Sequence, residues 1–164
     1  MMFCPTESSS TSCSRRNWLH FSGLALLGIT TAAQSADALL PPAQSLAEEL
    51  ARALKKKQPL IVMVSLEGCV FCRQARQSHL VPMYKEGVII VQVDSRKNHS
   101  VLDFSGQLTT HDQLTRHWKV SVTPTLLFFG SGGKEVSERM EGAYLPDFYG
   151  AYFEDRLDRG RQGL

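Results

Sequence analysis

Glu67-Gly68-Cys69-Val70-Phe71-Cys72-Arg73 lies between an apolar run, Leu60-Ile61-Val62-Met63-Val64, and a downstream segment of good helix formers. Two thiols three positions apart at a strand-to-helix junction have three uses. They can cycle between dithiol and disulfide within one helical turn, supply half of a metal site, or form a permanent cross-link.

At 164 residues the chain is one domain's worth with a removable leader. Hydrophobic residues at 43% and charged residues at 21% are ordinary for a soluble globular protein. The formal net charge of +2 comes without a basic stripe interleaved with aromatics, so nucleic acid is not an expected partner. Lys55-Lys56-Lys57 reads as a helix end complementing the helix dipole. Of four cysteines, Cys4 and Cys13 fall at the very start and Cys69 and Cys72 form the only later pair.

Residues 1–38 read as a signal peptide. Ser14-Arg15-Arg16-Asn17-Trp18-Leu19-His20 precedes the short apolar stretch Phe21-Ser22-Gly23-Leu24-Ala25-Leu26-Leu27-Gly28-Ile29, and Ala36-Asp37-Ala38 is an A-x-A cleavage site. The stretch falls short of the roughly 20 apolar residues a membrane span requires, so no stable membrane insertion is expected after cleavage near Ala38. The paired arginines resemble a twin-arginine export signal; the general secretory route is the alternative. Both lead out of the cytoplasm, and the expected destination is a bacterial periplasm. Cleavage leaves two cysteines, with no third thiol to resolve or cross-link them.

Residues 39–164 are the expected domain. Pro41-Pro42 marks a linker, and Ser45-Leu46-Ala47-Glu48 is a capping box opening a helix over residues 45–57, ended by Pro59. Residues 60–66 are apolar on both parities, as in a strand buried on both faces. The helix after the cysteines meets no breaker until Pro82, and Val88-Ile89-Ile90-Val91-Gln92-Val93 is a second buried strand. Residues 95–109, polar and containing Gly106, read as a loop or insertion. Thr110-His111-Asp112-Gln113 caps a short helix through Trp118, and residues 120–129 form a strand entered by Pro124. A Gly-rich hairpin turn over 130–134, an edge strand over 135–140 and a break at Gly142 follow. The last helix starts at Pro146-Asp147, packs through Phe148, Tyr149, Tyr152, Phe153 and Leu157, and stops before Gly160. This order has the βαβ signature of a parallel pair, then a hairpin and a covering helix.

A thiolate is the reactive form of cysteine. At a helix N-terminus, unpaired backbone N–H groups and the positive dipole end lower a thiol's pKa. Cys69 is therefore the expected nucleophile, and Cys72, one turn inside, the resolving thiol. Arg73 and Arg76 lie four and seven residues on and add positive potential or are solvated. A closed zinc site wants four ligands, and His79, His99, His111 and His117 lack a spacing suited to completing one; they read as surface or loop residues. No metal is expected. A permanent cross-link this short would constrain little unfolded-state entropy.

Strand, C-x-x-C, helix and a later Val122-Thr123-Pro124-Thr125 entering a strand resemble the thioredoxin fold, over about residues 45–158. The resemblance implies a central mixed sheet flanked by helices and a cis proline at Pro124 beside the disulfide. It also implies that Thr123 pairs with an extended client segment, with Val70 and Phe71 joining the docking surface. Gly142 matches the glycine between the last strand and last helix. Val101-Leu102-Asp103-Phe104-Ser105-Gly106 and Asp147-Phe148-Tyr149 look more like exported bacterial thioredoxin-like proteins of the sulfur-oxidation type than like cytosolic thioredoxin.

The chain departs from the family at three points. Val70-Phe71 replaces the Gly-Pro of thioredoxin and the Pro-His of strong periplasmic oxidases. Met63 stands where thioredoxin carries a buried aspartate; Glu67, two before Cys69, is either a substitute for proton transfer or an exposed loop glutamate. Lacking Pro-His, the couple is expected to be more reducing than that of the strong oxidases. The expected activity is that of a monomeric, periplasmic thiol–disulfide oxidoreductase with no cofactor beyond Cys69–Cys72. It would reduce client disulfides and be recharged by a membrane-embedded thiol electron donor. The alternatives are a dithiol oxidase or isomerase, or a binding module carrying Cu(I) on two soft ligands.

Overall fold

The structure, a computed structural model, describes residues 39–143 and 146–164. The expected export signal, with Cys4 and Cys13, lies outside the described residues. Among them, no helix is long and apolar enough to cross a membrane.

The central strand β1 (Leu60–Ser65) is buried along its whole length. It pairs in parallel with β2 (Ile90–Asp94) on one edge and antiparallel with β5 (Thr125–Gly130) on the other. Both edges are thus paired and both faces covered, which explains the unbroken apolar run. Leu60, Val62 and Val64 point into one core with Leu46, Leu50, Leu114 and Trp118. Ile61 and Met63 point into the other, with Cys72, Leu80, Phe128 and Phe153. A mixed sheet between two helical layers is the expected thioredoxin-type architecture.

Helix α1 (Leu46–Lys55) is capped by Ser45, whose hydroxyl accepts the Glu48 N–H at 3.4 Å. The preceding prolines are not a free linker. Gln92 N–H bonds to Pro41 O and Ala43 N–H to Gln92 O, both at 2.8 Å, so residues 41–43 add an edge to β2.

After the cysteines the helix runs as α2 (Val70–Ala75), a π-turn over Arg76–Leu80 and α3 (Val81–Lys85). Pro82 does not end it. The Val81 N–H bonds back to Arg76 O, five residues earlier, so the ladder changes register just before the residue that has no N–H to donate.

Residues 95–109 are not all loop, because β3 (Ser100–Leu102) and β4 (Leu108–Thr110) form a small antiparallel pair. Thr110 then caps α4 (His111–His117), accepting the Gln113 N–H at 3.2 Å. Strand β5 starts at Thr125 rather than residue 120, since residues 120–124 bend around the site. The expected edge strand is two short pieces, β6 (Lys134–Glu135) and β7 (Met140–Glu141), both paired with β5.

Helix α5 (Pro146–Gln162) buries Tyr149, Phe153 and Leu157, a stripe at every fourth residue, while Phe148 and Tyr152 face outward. It also continues through Gly160. A Cβ there would lie 2.9 Å from Pro59 Cγ, so the glycine lets the helix approach the α1–β1 turn.

The two glycines of α5 give opposite expectations. Gly150 has open space where a Cβ would go, so Gly150→Ala should raise stability by about 0.5–1 kcal/mol through helix propensity. Gly160→Ala should lower it by about 1 kcal/mol, overpacking outweighing the same propensity gain. Urea unfolding of both variants checks the pair.

Candidate active site

Cys69 is the N-cap of α2, with extended backbone angles (φ −72°, ψ 110°). Its Sγ accepts the Cys72 N–H at 3.0 Å, doing with sulfur what a serine or aspartate does at most N-caps. Gly68, at φ 75°, turns the chain from the end of β1 into that position. Cys69 and Cys72 are joined by a disulfide, with Cα atoms 5.2 Å apart. Their exposure differs sharply: Cys72 is 0% exposed within the core containing Met63 and Ala75, whereas Cys69 packs against that core from its rim. On reduction, the N–H already aimed at Cys69 Sγ would stabilise a thiolate there, whereas among the described residues Cys72 lies in an apolar core.

The Thr123–Pro124 peptide is cis, and Thr123 lies against the disulfide. Thr123 O and Thr123 Oγ1 each stand 4.0 Å from Cys69 Sγ. This bend is fixed from both ends. Gly142 N–H bonds to Pro124 O at 2.7 Å, and Thr125 Oγ1 to Val122 O at 2.8 Å. Gly142 sits at φ 79°, which gives the glycine after β7 a conformational reason. Among the described residues, the Thr123 main-chain N–H and C=O enter no backbone hydrogen bond. Val70, Phe71 and Val122 are 60%, 59% and 46% exposed, large apolar side chains left in solvent on the segments that carry the disulfide and Thr123. Val122 was not legible as part of this surface, because its apolar neighbours read as one continuous strand.

Glu67 lines the groove beside Cys69, ion-paired with Lys97. The hydrogen bond and charge of Lys97 hold its carboxyl below the usual glutamate range, so it is a weaker base than an ordinary glutamate. At Met63 the core side of the site is apolar, with no carboxylate in its place.

His111 is buried, not a surface residue. Its Nδ1 accepts the Asp94 N–H at 3.0 Å and its Nε2 lies 3.1 Å from Ala43 O. Asp94, His99 and His111 place potential ligand atoms within 4.8 Å of one another. With both His111 nitrogens committed to backbone, the cluster offers a metal only two side chains.

The Thioredoxin-like domain family matches over residues 46–156. The chain belongs to that family. The thiol:disulfide interchange protein DsbD of Klebsiella pneumoniae subsp. pneumoniae is 32% identical over 123 residues, covering 72% of this chain. The chain spans only 19% of that relative's length. Among solved structures, a DsbH oxidoreductase superposes with a TM-score of 0.52 at 22% identity, covering 74% of this chain and 88% of the other. A thioredoxin-fold protein from Helicobacter pylori gives 0.52 at 16% identity, covering 65% and 73%. At those identities the likeness to the solved structures is one of fold.

A general base contributes about 10²–10⁴-fold to a proton-transfer step. Glu67→Gln should cost far less, about threefold or under at neutral pH, because the carboxylate is already committed to Lys97. Stopped-flow exchange with a peptide disulfide measures it; a hundredfold loss would give Glu67 the proton.

Proposed function

We propose that the protein is an exported thiol–disulfide oxidoreductase that reduces disulfides of client proteins. The observation that carries this is the unequal setting of one disulfide. Cys69 sits at the rim beside Thr123 and caps its helix, and Cys72 is sealed beneath it.

In the reducing direction the Cys69 thiolate attacks one sulfur of a client disulfide. A Cys69–client disulfide forms, and the client's other sulfur leaves as a thiolate. The client backbone is held in extended form by Thr123 ahead of Pro124, with Val70 and Phe71 packing on its side chains. The Cys72 thiol then loses its proton to solvent, with Glu67 a minor acceptor, and attacks Cys69 Sγ. The Cys69–Cys72 disulfide forms and the second client thiolate leaves. Two electrons have passed to the client, whose thiolates take up two protons. A dithiol donor reverses the sequence on the protein side to recharge it.

Export rests on residues 1–38, with their paired arginines, short apolar stretch and A-x-A site. The periplasm is then the compartment, residues 39–164 the working domain, and the monomer its working form. The likeness to part of a thiol:disulfide interchange protein supports thiol–disulfide exchange, and a membrane-embedded thiol donor is the proposed source of its electrons. The reducing direction is supported by Val70-Phe71 between the cysteines, where strong oxidases carry Pro-His.

Cys72→Ser should trap a client on Cys69 as a reductant-sensitive adduct, and Cys69→Ser should abolish both adduct and turnover. No adduct from periplasmic extract would count against exchange and in favour of a binding module. The reduction potential tests direction separately: the reductase assignment expects a couple more negative than about −180 mV, and a value near −120 mV overturns it.

A further inference from the structure

The sheet order β2–β1–β5 gives Cys69 two flanks. Thr123 occupies the β5 flank. On the β2 flank a groove of about 650 Å³ runs from Cys69 past Arg73 and Arg76 to Gln92 and Lys97. Bond exchange draws on this groove only for the minor role of Glu67, and its charges are unevenly paired.

Glu67 is bound to Lys97. Asp94 accepts from Gln92 Nε2 at 2.6 Å and faces His99 Nδ1 at 3.9 Å. The two arginines are different. Arg73 is exposed and Arg76 half-buried, and among the described residues neither meets a carboxylate. Arg76 makes one hydrogen bond, from Nη2 to Ser65 Oγ at 3.3 Å, and its Nε is buried without a partner, as is Gln92 Oε1 on the same wall. Cys69, Arg73 and Arg76 follow one another at helical spacing and line one groove. Guanidinium groups present forked donors that match a carboxylate and are less strongly hydrated than an ammonium. The groove therefore sets two unneutralised guanidiniums beside the reacting sulfur, on the side that Thr123 does not cover.

We infer that this groove is a second client subsite, taking an acidic side chain carried next to the client's disulfide cysteine and holding it with Arg73 and Arg76. The assignment rests on the exchange activity proposed above. A client segment paired to Thr123 on one flank crosses Cys69 and lays its other flank over β2. An aspartate or glutamate there is selected, an amide is neutral, and a lysine or arginine is rejected.

The test uses two peptide disulfides that differ only in Glu or Gln beside the reacting cysteine. Exchange is followed by stopped flow with the reduced protein at low and at high salt. The acidic peptide should react roughly fivefold faster at low salt, with the preference shrinking as salt screens it. Taking the ratio of two peptides cancels any effect of the arginines on Cys69 itself. Arg73→Glu, at an exposed position where folding is not at risk, should reverse the preference, and Arg76→Gln should reduce it. Where both peptides react, equal rates in the wild type, or a preference unchanged in Arg73→Glu, overturns the assignment. A second arm reads binding without chemistry, using Ser-for-Cys versions of both peptides and the oxidised protein. The Nε–H signals of Arg73 and Arg76 are followed by NMR. If neither disulfide reacts but the acidic peptide alone shifts those signals, exchange falls and the subsite stands. If the signals respond to neither peptide, the subsite falls.

Discussion

The site depends on burying β1 on both faces and pairing it along both edges. Leu60, Val62 and Val64 serve one core and Ile61 and Met63 the other, each side chain contributing about 1.5–3 kcal/mol on removal from water. A strand so held has no freedom of register, since a slip by one residue would exchange the two apolar sets. Ser65 therefore ends at one place, the turn at Gly68 follows, and Cys69 is delivered to the start of α2. The same pairing brings the other parts. β5 carries Thr123 in from one side and β2 carries Gln92 and Asp94 in from the other.

What the amino-acid pattern discloses is what local physics decides. The apolar run of β1, the caps at Ser45 and Thr110 and the helix after Cys69 each follow from a few neighbouring residues, and each stands where expected. The features that escaped depend on distant partners. Three-residue strands such as β3 and β4 are too short to show a period. Residues 41–43 become sheet only because Gln92 offers them both its N–H and its C=O. Nothing near Gly160 announces that Pro59 will press against it, and without that contact a glycine reads as a helix stop.

The site divides in the same way. Cys69 and Cys72 are legible because their chemistry is set by spacing within one turn of helix. Thr123 and Pro124 required a family resemblance, since only a pattern learned across related folds brings residue 123 beside residue 69. On the β2 flank, Glu67, Arg73 and Arg76 are legible beside the cysteines, but Lys97 and His99 are not. Lys97 and His99 sit in a polar stretch like any surface loop, and become neighbours of Cys69 only once β2 is placed beside β1. Adjacent strands in a parallel pair are separated in sequence by a whole crossover, so their ends are the positions a linear reading reaches last.

The unequal setting of the two sulfurs also orders the chemistry. In the proposed reaction only Cys69, at the rim, is open to a client, so the first attack has one geometry. Cys72 reaches nothing but Cys69, which guards it against stray oxidation and confines its attack to resolution. That confinement has a cost. A charged sulfur is disfavoured among Met63, Ala75 and Leu126, and among the described residues no carboxylate stands in that core to take its proton. The mixed disulfide must then persist until the Cys72 proton finds its way out, and during that interval the client is held by contacts outside the bond itself. On the proposed reading Thr123 holds one flank. A protein whose resolving step lacks a buried base gains most from a grip on the other flank, which is where the Arg73 and Arg76 guanidiniums stand unneutralised.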